Sequence, residues 1–357
     1  MVKPIPIQWF NMEKLLVVRN DKLGDFVLAW PAFALLKASM PKTRLIALVP
    51  SYTAPLARIC PYLDGVIVDA GRNASKKAKR ETLEQIRAQK FPAVISFFST
   101  SYNAFLLYKA HIPFRLAPAT KLIQFLYNHR LRQRRSLSIK PEFEYNLDLA
   151  RYFLNLQNLE VVEPKGPPYL CFEQTEILTQ ADMLKRRWGL DSAKPWVVVH
   201  SGTGGSSPNL SFQQWTELIK GLLDRLDVQI ILSAGPDESQ NAHALADSIG
   251  HPHIVVYDKN EGMVDFARSL ACAHFFISAA TGPLHLASAL NVPTCAFYPA
   301  RASAAPLRWQ PINDPSKHLA FMPQTTDTEQ EMNMALIEIP QILDPLVAFI
   351  QQYLPQT

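Results

Sequence analysis

Cysteine is scarce in this chain. Four occur in 357 residues, at Cys60, Cys171, Cys272 and Cys295. They lie far apart in apolar surroundings, so no pair has the spacing of a metal site and no disulfide framework is implied. Buried thiols of a reducing compartment are the expectation. Glycine is also sparse, at 13 residues. None completes a G-x-G-x-x-G turn or a Walker loop, which argues against a dinucleotide oxidoreductase and a P-loop nucleotidase. No Asp, Glu, Lys or Arg falls between Arg268 and Arg301, yet His274, Gly282, Pro283, His285 and Pro293 cut that run into pieces too short to span a bilayer. Met1-Val2-Lys3-Pro4-Ile5-Pro6 lacks the apolar core of a signal peptide. The expected location is therefore cytoplasmic. Nothing resembles a nucleic-acid-binding motif, so no nucleic-acid partner is expected.

What is present is enough apolar chain for real cores: 48% hydrophobic and 19% charged residues, with a net charge of +5. A mildly basic chain favours anionic partners without naming one. Short apolar runs recur at Leu15–Val18, Leu45–Val49, Val66–Val68 and Ala93–Phe98, with helical patterns between them. After the proline-rich stretch Val162–Pro168 the rhythm restarts at Trp196–His200, Gln229–Ala234, His274–Ser278 and Thr294–Tyr298. Short strands alternating with helices predict an α/β chain of two Rossmann-like parallel sheets. The expected domains are 1–163 and 164–338. A last helix in 339–357 is placed back on the first domain.

Three stretches can carry chemistry. The first is Arg19-Asn20-Asp21-Lys22-Leu23-Gly24-Asp25, a polar turn after the first strand that leads into a helix containing Phe26, Val27, Trp30 and Phe33 and ending near Met40. Asp25 in that position is either an acidic helix cap or a general base aimed into an interdomain cleft. The second is Ser201-Gly202-Thr203-Gly204-Gly205-Ser206-Ser207-Pro208-Asn209, a loop of glycines and hydroxyls after a buried strand. Its N–H groups and hydroxyls suit phosphate oxygens. Gly235-Pro236-Asp237-Glu238 beyond the next strand offers carboxylates for ribose hydroxyls, or an ordinary turn and cap.

The third is Ile277–Pro299, read as strand, tight turn, short helix and strand. Thr281 is expected to cap the helix, Pro283 to sit in its first turn, and Asn291 with Pro293 to end it. A helix opening at the carboxyl end of a parallel strand aims unpaired N–H groups and a positive dipole end at the usual ligand crevice. Phosphate is the matching ligand. A plain β-turn-α-β unit with no ligand fits the same pattern. Separately, Lys121, Arg130, Arg132, Arg134, Arg135 and Lys140 form a basic run interleaved with Leu122, Phe125 and Leu126. It reads as a solvated face, or as a contact for an acidic acceptor or an anionic membrane surface.

Taken together, Leu15–Arg19 with Leu23-Gly24-Asp25 and Pro31-Ala32, then Thr281-Gly282-Pro283-Leu284-His285-Leu286-Ala287 with Asn291-Val292-Pro293, resemble glycosyltransferase family 9, the lipopolysaccharide heptosyltransferases. Arg308-Trp309-Gln310-Pro311 is similar to a later element of that family, and the likeness runs in order from about residue 14 to about residue 312. The resemblance implies a GT-B fold, its two domains facing a central cleft, and inverting transfer of heptose from ADP-heptose to an inner-core lipopolysaccharide acceptor. Asp25 then matches the general base. Thr281, Gly282, Pro283, Leu284 and His285 match the donor diphosphate turn, with Thr203, Gly204, Gly205, Ser206 and Ser207 beside it and Glu238 on the donor ribose. Lys22 and the run Lys121, Arg130, Arg132, Arg134 and Arg135 would suit an acidic, lipid-linked glycan acceptor, with peripheral contact to the inner face of the inner membrane. No Asp-x-Asp pair occurs, so no metal and no cofactor is called for; helix N-termini, hydroxyls and basic side chains would take the leaving charge. Two positions depart from the family pattern. Ala280 stands where many members have aspartate before the turn, and Pro208 where many have lysine in the loop. The alternatives are a transferase of the same fold with another donor or acceptor, and a catalytically silent nucleotide-sugar binder.

Overall fold

The computed structural model describes residues 12–120, 122–191 and 193–355. They form two compact units. The first comprises 12–134 and 143–165, and the second 135–142 and 166–355. The expected border at 163/164 lies close to the crossing at 165/166, but the excursion of 135–142 into the second unit had no sequence signal.

In the first unit, β1 (Lys14–Val18), α1 (Leu23–Val27), α2 (Trp30–Ser39), β2 (Arg44–Pro50), α3 (Ala54–Ile59) and β3 (Gly65–Asp69) come first. They are followed by α4 (Lys76–Ala88), β4 (Ala93–Ser96), α5 (Ser101–Lys109), β5 (Phe114–Pro118), β6 (His129–Leu131) and α6 (Glu142–Leu156). All strands pair in parallel, in the order β3-β2-β1-β4-β5-β6. Leu16, Val18, Leu48 and Val94 lie at 0% exposure beside Ile86 of α4 and Leu107 of α5. Strands buried on both faces read as continuous apolar runs, and that is how they appeared in the sequence.

The expected single helix from Phe26 to Met40 is two. It breaks at Leu28–Ala29 because Pro31, in the first turn of α2, has no N–H to donate and its ring would meet the carbonyl of Val27.

The second unit adds α7 (Gln174–Trp188), β7 (Trp196–His200), α8 (Phe212–Leu223), β8 (Gln229–Ser233), α9 (Ser239–Ile249) and β9 (Ile254–Tyr257). It closes with α10 (Met263–Ala271), β10 (Phe275–Ala279), α11 (Gly282–Ala289), β11 (Thr294–Phe297), β12 (His318–Phe321) and α12 (Ile339–Gln351). Its sheet is again fully parallel, ordered β12-β11-β10-β7-β8-β9. Ser211 and Gln214 start α8 with a reciprocal capping box, each side chain bonded to the other's backbone N–H.

The last helix corrects an expectation: α12 belongs to the second unit. Ile339, Leu343, Leu346 and Ile350 join that unit's core, and Phe349 meets Phe275 of β10 edge-on at 5.8 Å. Gly221 of α8 admits it, since a Cβ there would lie 2.3 Å from Leu343 Cδ2.

All four cysteines are free. Cys60 and Cys295 are buried as expected, whereas Cys171 is exposed and Cys272 only half-buried. Among the described residues no helix is long and apolar enough to cross a membrane.

Candidate active site

Both sheets share one topology. Each reverses its winding between two adjacent strands, β1 and β4 in the first unit and β7 and β10 in the second. Beyond the carboxyl ends of such a pair the connections diverge and leave a crevice, the usual ligand site of open α/β sheets.

At the β1/β4 crevice the chain after Val18 delivers Arg19, which is 2% exposed. Its guanidinium bonds the Phe97 carbonyl at 3.1 Å and Asn146 Oδ1 at 3.5 Å, so it ties the ends of β1 and β4 together. It also pairs with Asp21 at 3.0 Å and with Asp25. A buried guanidinium needs such partners, and the carboxylates it holds are fixed in place by it. Asp25 sits in the first turn of α1 with 17% of its side chain exposed, so it is oriented by Arg19 yet open to solvent.

Beside it lies a polar lattice. Asn20 donates to Asp69 at 2.6 Å and exchanges hydrogen bonds with Asn103 at 2.8 and 2.7 Å. The Tyr102 hydroxyl donates to the other Asp69 oxygen at 2.6 Å. The Tyr52 hydroxyl donates to the Asp21 carbonyl at 2.7 Å. Burial of that hydroxyl, together with the Asp21 and Asp25 carboxylates, pushes its pKa up to about 12.

In the β7/β10 crevice, β10 ends at Ala279 and α11 starts at Gly282 with Thr281 as its N-cap. The Thr281 side chain makes no capping bond, contrary to expectation, and its buried Oγ1 has no partner among the described residues. The Gly282 and Leu284 N–H groups lie in the unpaired first turn, and Pro283 contributes no N–H. The turn thus presents two amides and one hydroxyl at the positive end of a helix dipole.

His285 does not act there as a charge. It is 3% exposed, and burial, helped by His318, pushes its pKa down to about 3. The side chain is a neutral member of the core.

The glycine-rich loop after β7 is largely spoken for. Glu238 Oε1 accepts from Gly204 N at 2.7 Å, Oε2 accepts from Gly235 N at 3.1 Å, and the same Oε2 lies 3.5 Å from His200 Nε2. Burial lowers the His200 pKa, with Glu238 opposing, and its Nδ1 lies 3.0 Å from the Ser233 carbonyl. Glu238 is therefore a brace joining the two loops, and its carboxylate is already engaged where a ribose contact was expected. Gly204, with its amide bonded to Glu238, is not free for phosphate. Ser206 also turns inward, its hydroxyl donating to the Thr203 carbonyl at 2.6 Å. Among the described residues, the N–H groups of Gly205 and Ser207 have no bonded acceptor. Asn209 staples the loop base through Ser201, Leu210 and Trp215.

A family profile described as glycosyltransferase family 9 (heptosyltransferase) matches residues 80–336. A candidate glycosyltransferase of Haemophilus influenzae is 54% identical over 340 residues, covering 95% of this chain and 97% of its own. The chain belongs to glycosyltransferase family 9. The fold of Escherichia coli ADP-heptose lipopolysaccharide heptosyltransferase II is similar, with a TM-score of 0.76 at 17% identity over 95% of this chain and 99% of that one. E. coli heptosyltransferase WaaC with ADP gives 0.73 at 19% identity, over 94% and 99%. The two parallel six-stranded sheets with their helices match the GT-B fold of these structures.

In this family 9 glycosyltransferase the expected basic acceptor run divides between the two units at Arg134/Arg135. Arg135 is in the second unit, paired at 2.6 Å with Glu142, which is 2% exposed and also paired with Arg308. A guanidinium neutralised by a buried carboxylate is a structural tie. Arg130 lies over the exposed Phe125 ring at 5.4 Å. Arg132, Arg134 and Lys22 are exposed, and Lys121 falls outside the described residues. Arg19 and Asn20 were read only as part of the turn after the first strand, and Asp69, Tyr102 and Asn103 were not singled out in the sequence. Their association depends on which strands lie side by side, and no local spacing encodes that.

Proposed function

We propose that this family 9 glycosyltransferase is an inverting, metal-independent heptosyltransferase that moves heptose from ADP-heptose to an inner-core lipopolysaccharide acceptor. The observation that carries the reading is the buried Thr281 hydroxyl, without a partner among the described residues, beside the free amides of Gly282 and Leu284 at the start of α11. Neutral donors preorganised at a helix N-terminus stabilise charge developing on a departing diphosphate. The donor assignment draws support from two proteins of similar fold, the E. coli ADP-heptose heptosyltransferase II and WaaC with ADP. In this reading Asp25, steadied by Arg19, accepts the proton of the attacking acceptor hydroxyl. The new bond forms on the face of the anomeric carbon opposite the leaving ADP, which inverts its configuration. Thr281, Gly282, Leu284, Gly205 and Ser207 receive the diphosphate.

A thermal-shift screen with ADP, ADP-heptose, UDP-sugars and GDP-sugars tests the donor. A ligand at a hundred times its Kd stabilises the folded state by about 2.7 kcal/mol. Stabilisation by ADP and ADP-heptose alone is expected; a response to UDP-sugars instead would overturn the donor assignment. Asp25→Asn should lower turnover by roughly two to four powers of ten with ADP binding kept. Full turnover by that variant would remove Asp25 from the mechanism. Ala280 and Pro208, where family members carry charged residues, motivate the second reading of a silent binder. That protein would bind ADP-heptose and release no ADP on addition of acceptor.

A further inference from the structure

The helices α4 and α5 of the first unit enclose an open groove of about 490 Å³. From α4 it is lined by Lys76, Lys79, Arg80 and Leu83, and from α5 by Tyr102, Phe105, Leu106 and Lys109. Each set follows the i, i+3, i+4, i+7 spacing of one helix face. The floor is apolar, with Leu106 buried and Phe105 half exposed. Among the described residues none of the four cations has an ion-pair partner; of the acids of α4, Glu84 is bonded to Arg87, and Glu81 and Glu84 line an adjoining surface with Arg80. The cations also stand against local electrostatics. Lys76, Lys79 and Arg80 occupy the opening turns of α4, where the helix dipole favours negative charge, and its first turn holds no acidic residue. A surface that gathers cations at an electrostatically unfavourable place, around an exposed aromatic ring, is suited to an anion attached to a sugar face.

One residue links this groove to the Asp25 cluster. The Tyr102 ring lines the groove while its hydroxyl bonds Asp69, which in turn holds Asn20, the neighbour of Arg19. We propose that the α4–α5 groove binds a phosphate group of the glycan acceptor, with Phe105 against an apolar sugar face. The assignment rests on the transferase reading above and moves acceptor recognition away from the run at 121–135.

The test uses full-length protein and deacylated, phosphorylated inner-core oligosaccharide, whose lack of acyl chains separates glycan binding from membrane binding. Removing two solvent-accessible cationic contacts near the upper end of their usual strength weakens binding by about tenfold. The double variant Lys79→Ala/Lys109→Ala should therefore lose about that factor in Kd. Phosphatase-treated oligosaccharide should bind the wild type equally weakly and be indifferent to the double variant. Lys42→Ala, away from the groove, should bind like the wild type, and stabilisation by ADP should be unchanged throughout. Wild-type affinity of the double variant for the phosphorylated oligosaccharide would overturn the assignment. So would a defect seen only with phosphatidylglycerol–phosphatidylcholine vesicles, which would make the groove a membrane contact. If the wild type fails to bind the oligosaccharide at all, the groove assignment also falls. Stabilisation by ADP-heptose in that same preparation then shows whether the donor half of the transferase reading stands.

Discussion

Replacing Gly202 by alanine is the sharpest test of the brace built on Glu238. A Cβ at Gly202 would lie 2.1 Å from Glu238 Cδ and 2.2 and 2.3 Å from its two oxygens. Gly202 is not among the positive-φ glycines, so alanine meets no backbone strain and the effect isolates the clash. The carboxylate must leave, and it gives up the bonds to Gly204 N and Gly235 N. Hydrogen bonds to a charged group contribute about 1.5–3 kcal/mol each, so the ceiling for the pair is about 3–6 kcal/mol. Rehydration of a side chain that already reaches solvent returns part of this, and a net loss of about 2 kcal/mol is expected. Urea unfolding followed by tryptophan fluorescence is a suitable assay, because four of the six tryptophans, at 188, 196, 215 and 309, lie in the second unit. The decisive comparison is Gly202→Ala in a Glu238→Ala background. With the carboxylate gone the substitution should cost less than about 0.5 kcal/mol, an interaction of roughly 1.5 kcal/mol between the two sites. Equal costs in the two backgrounds would refute the brace.

Acid should weaken the second unit through its buried histidines. His285 and His318 are held at about 3 and about 4, mainly by burial, against an ordinary 6.5. Both are neutral when folded and gain protons on unfolding, so their share of stability is complete above pH 6.5. It is lost as pH falls toward those values, at about 1.4 kcal/mol per pH unit for each group. His285→Asn should flatten the urea-midpoint profile between pH 6 and 4; an unchanged slope would contradict the assignment. Gly221→Ala should destabilise by about 1–3 kcal/mol by crowding Leu343. Leu343→Ala in the same chain should relieve most of that crowding, and strictly additive losses would show that the helices do not meet there.

The sheets were legible because parallel strands buried on both faces appear as uninterrupted apolar runs. Leu15–Val18 and Trp196–His200 could be placed almost to the residue. The turn at Thr281 was legible for a related reason: Gly282 and Pro283 at a strand end have few uses other than opening a helix. The Arg19 network could not be read, since Phe97 and Asn146 are 78 and 127 residues away in sequence. Sequence could not give the burial of His285 or the ion pair of Arg135 with Glu142. Charge in a linear pattern says nothing about burial or about which carboxylate arrives opposite. The Glu238 brace could not be read either, because its Gly204 and Gly235 contacts exist only once β7 and β8 are adjacent.

The excursion of residues 135–142 has a practical consequence for anyone who cuts this protein. The chain passes between units at 134/135, 142/143 and 165/166. A fragment ending at the proline-rich stretch would carry Arg135 and Glu142 away from Arg308, breaking up the ion-pair cluster around a carboxylate that is 2% exposed in the intact protein. A chimera spliced there would inherit the same fault. A workable recombinant needs 135–142 taken from the same parent as 166–357, even though this leaves the first unit assembled from two stretches of donor sequence.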